Sequence, residues 1–405
     1  MTVRQSIRAC PVLARPLVSL SLLLAIVTLV APGASGDETA LDGFRRPGPF
    51  PVGVRTVVVE DPSRNDSATG GKRTLVTEIW YPAVDGSRTA PRTQFREFFG
   101  KYTKQAREVL KTDLDKIESR FTTLAARDVR LRRPPGRHFP LILFSHGNGG
   151  FRHQNVFQMD HLASHGYVVA APDHTGNSLL SPLPSGAVRY NRRGRRQSSV
   201  NRPNDLSFLI EWFRAESART GSWLHRAIDT EGIGVIGHSF GGFTACKVAS
   251  TDPRIKAIVP MTVAIAGLDA PPANVPTMVF LGTHDRTIGT VGNMTTRGYY
   301  FSCPAEKYLV ELKRGGHFSF CEMALINPEF GDGIGREAKL GGKKLEFLSV
   351  PLAKEIINAY TLVFFDRVLR GNSAASKFLT RNRYPEEVDY KRSNGEASLV
   401  DESGG

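Results

Sequence analysis

The sequence predicts an α/β fold, with a mostly parallel central sheet flanked by helices. Three observations carry this. Short apolar runs recur along the chain, several followed by a helix-like stretch, the succession that builds βα units. Gly237-His238-Ser239-Phe240-Gly241 lies between an apolar run at 232–236 and a helix-like stretch, so a serine occupies a strand-to-helix turn. Asp285 and His317 follow two later apolar runs, and sites in open α/β sheets form outside the carboxyl ends of strands.

In chain order, Arg4, Arg8 and Arg15 lead into an apolar run at 17–30 and then small residues. That reads as a secretory signal peptide over 1–36, too short for a spanning helix, and implies a secreted or periplasmic protein. Residues 37–53 are Pro/Gly-rich and read as a surface linker. Strands are expected at 54–60 and 74–81. The charged stretch 95–126, with spaced apolar residues such as Phe98, Leu110, Leu114 and Phe121, reads as an amphipathic helical insertion, either a cap on the sheet or a lid. Strands at 139–145 and 167–173 enclose a helix through Met159 and Leu162. Residues 174–202 read as a long basic loop over the cleft. A helix at 204–215, strands at 255–261, 276–285 and 306–312, and a long helix at 351–370 complete a domain over 54–382. Residues 383–405 form a polar tail.

The 405 residues, 40% of them hydrophobic, suffice for one large domain. A net charge of +14, with arginine concentrated near 130–137 and 189–196, allows attraction to an anionic membrane surface or polymer. No nucleic-acid module accompanies it, so specific nucleic-acid binding is not expected, and 192–196 read as solvated. No Cys/His/Asp cluster has metal-ligand spacing. His146-Gly147-Asn148-Gly149-Gly150 lacks the full dinucleotide fingerprint; neither metal nor cofactor is expected. Sequence sets no oligomeric state.

The chemistry follows from residue type. A serine hydroxyl becomes a nucleophile once a base takes its proton. His317 suits that role and Asp285 would orient it. His284 is a weaker base candidate, and Asp173 and Asp252 are alternative acids. The turn at 146–150 follows a strand, and its glycines let backbone N–H groups approach a ligand. The amides of Asn148 and Phe240 are therefore the expected oxyanion donors, with the Phe240 ring against acyl carbon. Cys246 reads as a buried filler. Cys303 and Cys321 bracket the strand and loop that deliver His317, and an oxidising compartment would pair them as a disulfide.

Phe144-Ser-His-Gly-Asn-Gly-Gly150, Leu162-Ala-Ser-His-Gly-Tyr-Val-Val169 and Ile236-Gly-His-Ser-Phe-Gly-Gly242 resemble secreted proteins of the α/β-hydrolase fold. The resemblance runs from about Leu75 to His317. It is closest to the dienelactone-hydrolase-like group that includes cutinase-like polyester hydrolases and platelet-activating-factor acetylhydrolases. It implies a serine carboxylic-ester hydrolase acting through an acyl-enzyme on lipid, short-chain or polyester substrates. A phospholipid acyl hydrolase and a non-catalytic secreted binding protein with a hydrolase shell stay open. Dienelactone hydrolases use a cysteine where this chain has Ser239. Asp285 follows the cutinase-like placement of the acid. Those esterases carry an aromatic residue in the oxyanion turn and a tryptophan wall after the 255–261 strand; Asn148 and Ala264 stand at the matching substrate-binding positions.

Overall fold

The computed structural model describes residues 42–394, apart from 134–135, 137, 264–268, 333, 335–336 and 341. The expected signal peptide, the start of the 37–53 linker, Ala264 and the end of the polar tail lie outside the described residues.

Strand assignment follows the apolar runs. β1 (Val52–Asn65) and β2 (Lys72–Pro82) pair antiparallel, and β3 (Ala125–Arg127) lies parallel to β1. β4 (Phe139–Ser145) and β5 (Val168–Pro172) are buried throughout. A hairpin of β6 (Leu180–Leu183) and β7 (Gly186–Arg189) precedes β8 (Ile228–His238), β9 (Ile255–Met261), β10 (Thr277–Gly282) and β11 (Lys307–Leu312). A short ribbon, β12 (Lys339–Leu340) with β13 (Lys343–Lys344), and β14 (Val388–Ser393) follow. Among the described residues the main sheet runs β14-β11-β10-β9-β8-β4-β5-β2-β1-β3. Its centre, β11 to β5, is parallel, and the strands beside it, β14 and β2, are antiparallel.

Among the described residues the α-helices are α1 (Thr103–Leu110), α2 (Leu114–Glu118), α3 (Val156–Ser164), α4 (Arg195–Ala218), α5 (Phe240–Thr251), α6 (Gly289–Ser302), α7 (Met323–Ile326), α8 (Val350–Arg370) and α9 (Ser373–Phe378). Side chains alternate across each strand. Ile142 and Phe144 join Met159, Leu162, Tyr360 and Phe364 of α3 and α8. Leu141 and Leu143 join Leu209, Phe213, Ala245 and Tyr299 of α4, α5 and α6. The β4 run is therefore apolar without interruption, as a strand covered on both faces must be.

The helical insertion opens with a 3-10 turn, Phe95–Tyr102, then α1 and α2. Its last residues, expected to be helical, instead form β3 at the sheet edge. Phe95, Phe99, Leu110 and Leu114 pack on Phe151, Leu180 and Ile326. His153 sits inside this cluster, stacked on Phe98 at 4.5 Å and on Phe151 at 4.2 Å, with neither ring nitrogen hydrogen-bonded. Burial, helped by the Arg152 and Arg127 charges, holds its pKa well below the usual histidine value.

Three expectations are corrected. Residues 174–202 are not a structure-poor loop: they hold the β6–β7 hairpin and the first turns of α4, and Arg202 is completely buried. Residues 383–405 are not a polar tail throughout, because β14 pairs with β11 at the edge of the sheet and Tyr390 packs near Tyr308 and Tyr360. Cys303 and Cys321 do not pair: with Cys246 they are free and buried. They flank opposite ends of β11, whose six residues extend about 17 Å. Cys303 lies in the α4–α6 core layer and Cys321 in the insertion cluster.

Alkylation of the denatured, non-reduced protein should therefore label Cys246, Cys303 and Cys321 alike by peptide mass mapping; protection of the pair would contradict the packing. Replacing His153 with Phe should stabilise the fold by about 1 kcal/mol at pH 7, because it removes a buried N–H without an acceptor. A histidine with a depressed folded pKa contributes stability above about pH 6.5 that is lost as pH falls. Urea unfolding of His153→Phe should accordingly show a shallower loss of stability between pH 6.5 and 5 than the parent.

Candidate active site

β8 ends at His238 and α5 starts at Phe240, leaving Ser239 as the turn, with φ 55° and ψ −119°. A left-handed backbone costs a residue with a Cβ on the order of 1–2 kcal/mol. Packing holds it there. A Cβ on Gly237 would lie 1.9 Å from the Gly241 carbonyl oxygen, and one on Gly241 would lie 1.8 Å from that of Ser145. The Ser239 N–H donates to the Met261 carbonyl at 2.8 Å, tying the turn to β9.

Asp285 follows β10. Its Oδ1 accepts the Thr287 and Ile288 amides, each at 3.0 Å. Its Oδ2 lies 2.8 Å from His317 Nδ1, and both residues are buried. The turns carrying them are joined: the His284 amide donates to Gly315 at 2.8 Å and the Arg314 amide to Thr283 Oγ1 at 2.8 Å. Asp173 and Asp252 lie elsewhere. Asp173 holds Arg152 through its Oδ2 at 2.6 Å, and Asp252 holds Arg254 and Ser207. His284 packs edge-on against Phe347.

In the glycine turn most amides are already engaged. Gly147 donates to Gln154 Oε1 at 3.1 Å, Gly149 to the Asn177 carbonyl at 3.1 Å, and Gly150 to Gly147 at 3.0 Å. Among the described residues the Asn148 amide has no such acceptor, while its side chain binds Tyr190 at 2.7 Å and Asn177 at 3.0 Å. Phe240 opens α5, and first-turn amides have no intrahelical acceptor.

A buried polar network that sequence reasoning missed underlies this turn. Arg202 donates to Asn177 at 2.7 Å, to Ser145 Oγ at 2.9 Å and to the His146 carbonyl. Burial pulls its guanidinium down to about 9, against the pull of Asp205. His174 joins Ser145 Oγ to Asp205, each at 2.9 Å. Asp205 also receives Arg73 through two bonds, at 3.0 and 2.7 Å. Burial opposes the charge on Asp205, but Arg73 and His174 hold its carboxyl well below the usual range. The available sequence signal was Arg202 and Asp205 three apart on one helix.

His238 makes a second connection. Its Nδ1 lies 3.0 Å from Gln154 Nε2, and its Nε2 3.0 Å from the His317 carbonyl oxygen. A neutral ring with the proton on Nε2 satisfies both contacts. Burial and the neighbouring His317 keep its pKa well below the usual value. Gln154 and His238 thus join the Gly147 amide to the His317 backbone.

Ser239, His317, Asn148 and Phe240 line one cleft of about 420 Å³. The Phe240 ring is 5% exposed, stacks on Phe243 at 5.6 Å and lies beneath the Arg202 guanidinium.

A family model described as platelet-activating factor acetylhydrolase, isoform II, matches residues 40–183, and one described as PET hydrolase-like matches 154–327. A solved ferulic acid esterase from Streptomyces cinnamoneus superposes with a TM-score of 0.66 at 26% identity, covering 84% of this chain and 96% of that one. The chain is an α/β-hydrolase-superfamily protein related to platelet-activating-factor acetylhydrolases and cutinase- and PET-hydrolase-like esterases. The chain is 25% identical over 264 residues to platelet-activating factor acetylhydrolase of Cavia porcellus, covering 58% of each chain. It is 27% identical over 180 residues to cutinase est2 of Thermobifida alba, covering 44% of this chain and 52% of that one. The chain spans about half the length of the curated relatives it matches.

Replacing Asp205 with Asn should cost the protein about 3–5 kcal/mol in urea unfolding at pH 7, because it leaves buried cations uncompensated. A carboxylate with a depressed folded pKa contributes stability above its unfolded value, about 3.9, and loses it as pH falls. The gap between parent and Asp205→Asn should therefore narrow below about pH 4.

Proposed function

We propose that the cleft hydrolyses carboxylic esters through an acyl-enzyme on Ser239. The observation that carries this is a serine held at a left-handed strand-to-helix turn, in one cleft with a histidine whose far nitrogen is held by a buried carboxylate. With Nδ1–H donated to Asp285, the Nε2 lone pair of His317 is free to take the Ser239 proton. The alkoxide attacks the ester carbonyl, and the amides of Asn148 and Phe240 receive the developing oxyanion. The imidazolium returns its proton to the leaving alcohol. Water, deprotonated by His317, then releases the acid and regenerates Ser239.

Lipid, short-chain and polymeric esters all suit this chemistry. The match that contains Ser239, Asp285 and His317 is the PET hydrolase-like one, which favours cutinase-like esters. Acyl hydrolysis of phospholipids is a second reading, supported by the acetylhydrolase match that contains the glycine turn. Export after removal of residues 1–36 is part of the proposal. Among the described residues no helix is long and apolar enough to cross a membrane.

With 4-nitrophenyl esters, Ser239→Ala, His317→Ala and Asp285→Asn should each lower kcat by about 10³-fold or more. Full activity in folded Ser239→Ala would end the proposal. A folded parent that neither hydrolyses esters nor reacts with a fluorophosphonate would favour a binding role. Gln154→Leu should lower kcat about tenfold with KM little changed, because it frees the turn and the base from each other; an equal shift in KM would mark it as a ground-state contact.

A further inference from the structure

The cleft has a neighbour. A second cavity of about 740 Å³ lies between α4 and α5, and Phe240 and Arg195 line both. Phe240, Phe243, Lys247 and Thr251 share one face of α5 and form the floor, a run of about 16 Å. The end beside the cleft is apolar: Val200 of α4 is 56% exposed, and Phe240 and Phe243 show only their edges, at 5% and 3%.

The rim is cationic. Arg195 lies over the Phe240 ring at 5.6 Å and Arg196 follows it. Among the described residues neither has an acidic partner. The acid lining the cavity, Asp269, is engaged by Lys247 at 2.7 Å. The arginines that read as solvated loop in the sequence thus stand on a folded helix beside the cleft.

We infer that this groove is a subsite for the anionic end of an ester substrate, with a carboxylate or phosphate facing Arg195 and Arg196 and an apolar segment lying along Val200 and the exposed edges of Phe240 and Phe243. It rests on the ester-hydrolase reading of Ser239 and specifies its substrates: elongated esters with an apolar middle and a negative terminus. Anions with a flexible apolar spacer reach the rim, whereas short neutral esters occupy the cleft alone.

Two series test it. One comprises mono-4-nitrophenyl esters of α,ω-dicarboxylic acids of increasing length, whose hydrolysis consumes water and releases nitrophenol and the dicarboxylate. The other comprises hexanoate esters of ω-hydroxy acids and of ω-phosphorylated alcohols, followed by pH-stat. Each is paired with its uncharged methyl-ester or alcohol counterpart. At some length in one series the anionic member should show a kcat/KM about five- to tenfold above its neutral partner, the scale of one or two exposed ion pairs. Salt should erode the preference. Arg196→Glu, an exposed position, should abolish it while leaving neutral-ester kcat/KM within about twofold. Absence of a preference at every length in both series, with neutral esters turned over, overturns the subsite alone. An equal loss on charged and neutral esters in folded Arg196→Glu also overturns it. Stimulation only by phosphatidylglycerol vesicles would assign the arginines to a lipid surface instead. If neutral esters are not hydrolysed, the reading of Ser239 fails and the subsite with it.

Discussion

The start of α5 presses against the ends of β8 and β4 so closely that side chains on Gly237 and Gly241 would overlap backbone carbonyls. Much of the site depends on this contact. With the helix seated there, one residue must reverse the chain, and Ser239 takes the left-handed conformation that the reversal requires. The same contact sets the first amides of α5 beside the turn that follows β4. The strain is local, and the surrounding hydrogen bonds and packing sustain it, as is usual where a backbone outlier persists at a functional position.

A glycine turn has little packing of its own, and the protein fixes this one from beneath with buried charge. Arg202 and His174 both reach Ser145, and Asp205 joins His174 to Arg73 on β2. Buried ion pairs are poor sources of net stability but demand one geometry once formed. Here they order a segment that regular secondary structure does not. The histidine next to Ser239 extends the logic across the cleft, joining the glycine turn through Gln154 to the backbone of His317. A shift of either loop would break a buried hydrogen bond, so the two sides of the cleft keep their spacing.

Much of this was legible in the sequence because it is local. The runs at 139–145 and 255–261 became β4 and β9 with those boundaries. Their uninterrupted apolarity reflects burial on both faces. Ser239, Asp285 and His317 lie beyond the carboxyl ends of β8, β10 and β11, which the parallel order gathers at one edge, β8 and β10 flanking β9 and β11 beyond. What escaped was tertiary. Arg202 looks like the end of a basic loop until Asn177, Ser145 and His146 surround it. Residues 388–393 look like polar tail because an edge strand buries few of its side chains. Cys303 and Cys321 look paired along the chain, but a strand separates two positions that sequence distance places near each other.

The two family matches meet in the middle of the chain, overlapping at 154–183, and the site draws on both parts. The turn at 146–150 belongs to one, and Ser239, Asp285 and His317 to the other. The central claim is that these parts form one acyl-transfer centre. Rapid mixing of the protein with excess 4-nitrophenyl butyrate, quenched in acid and analysed by peptide mass, tests it most directly. The account predicts a burst of nitrophenol up to one equivalent and a butyryl adduct on the peptide carrying Ser239. Ester turnover with a persistent adduct on another residue would contradict it.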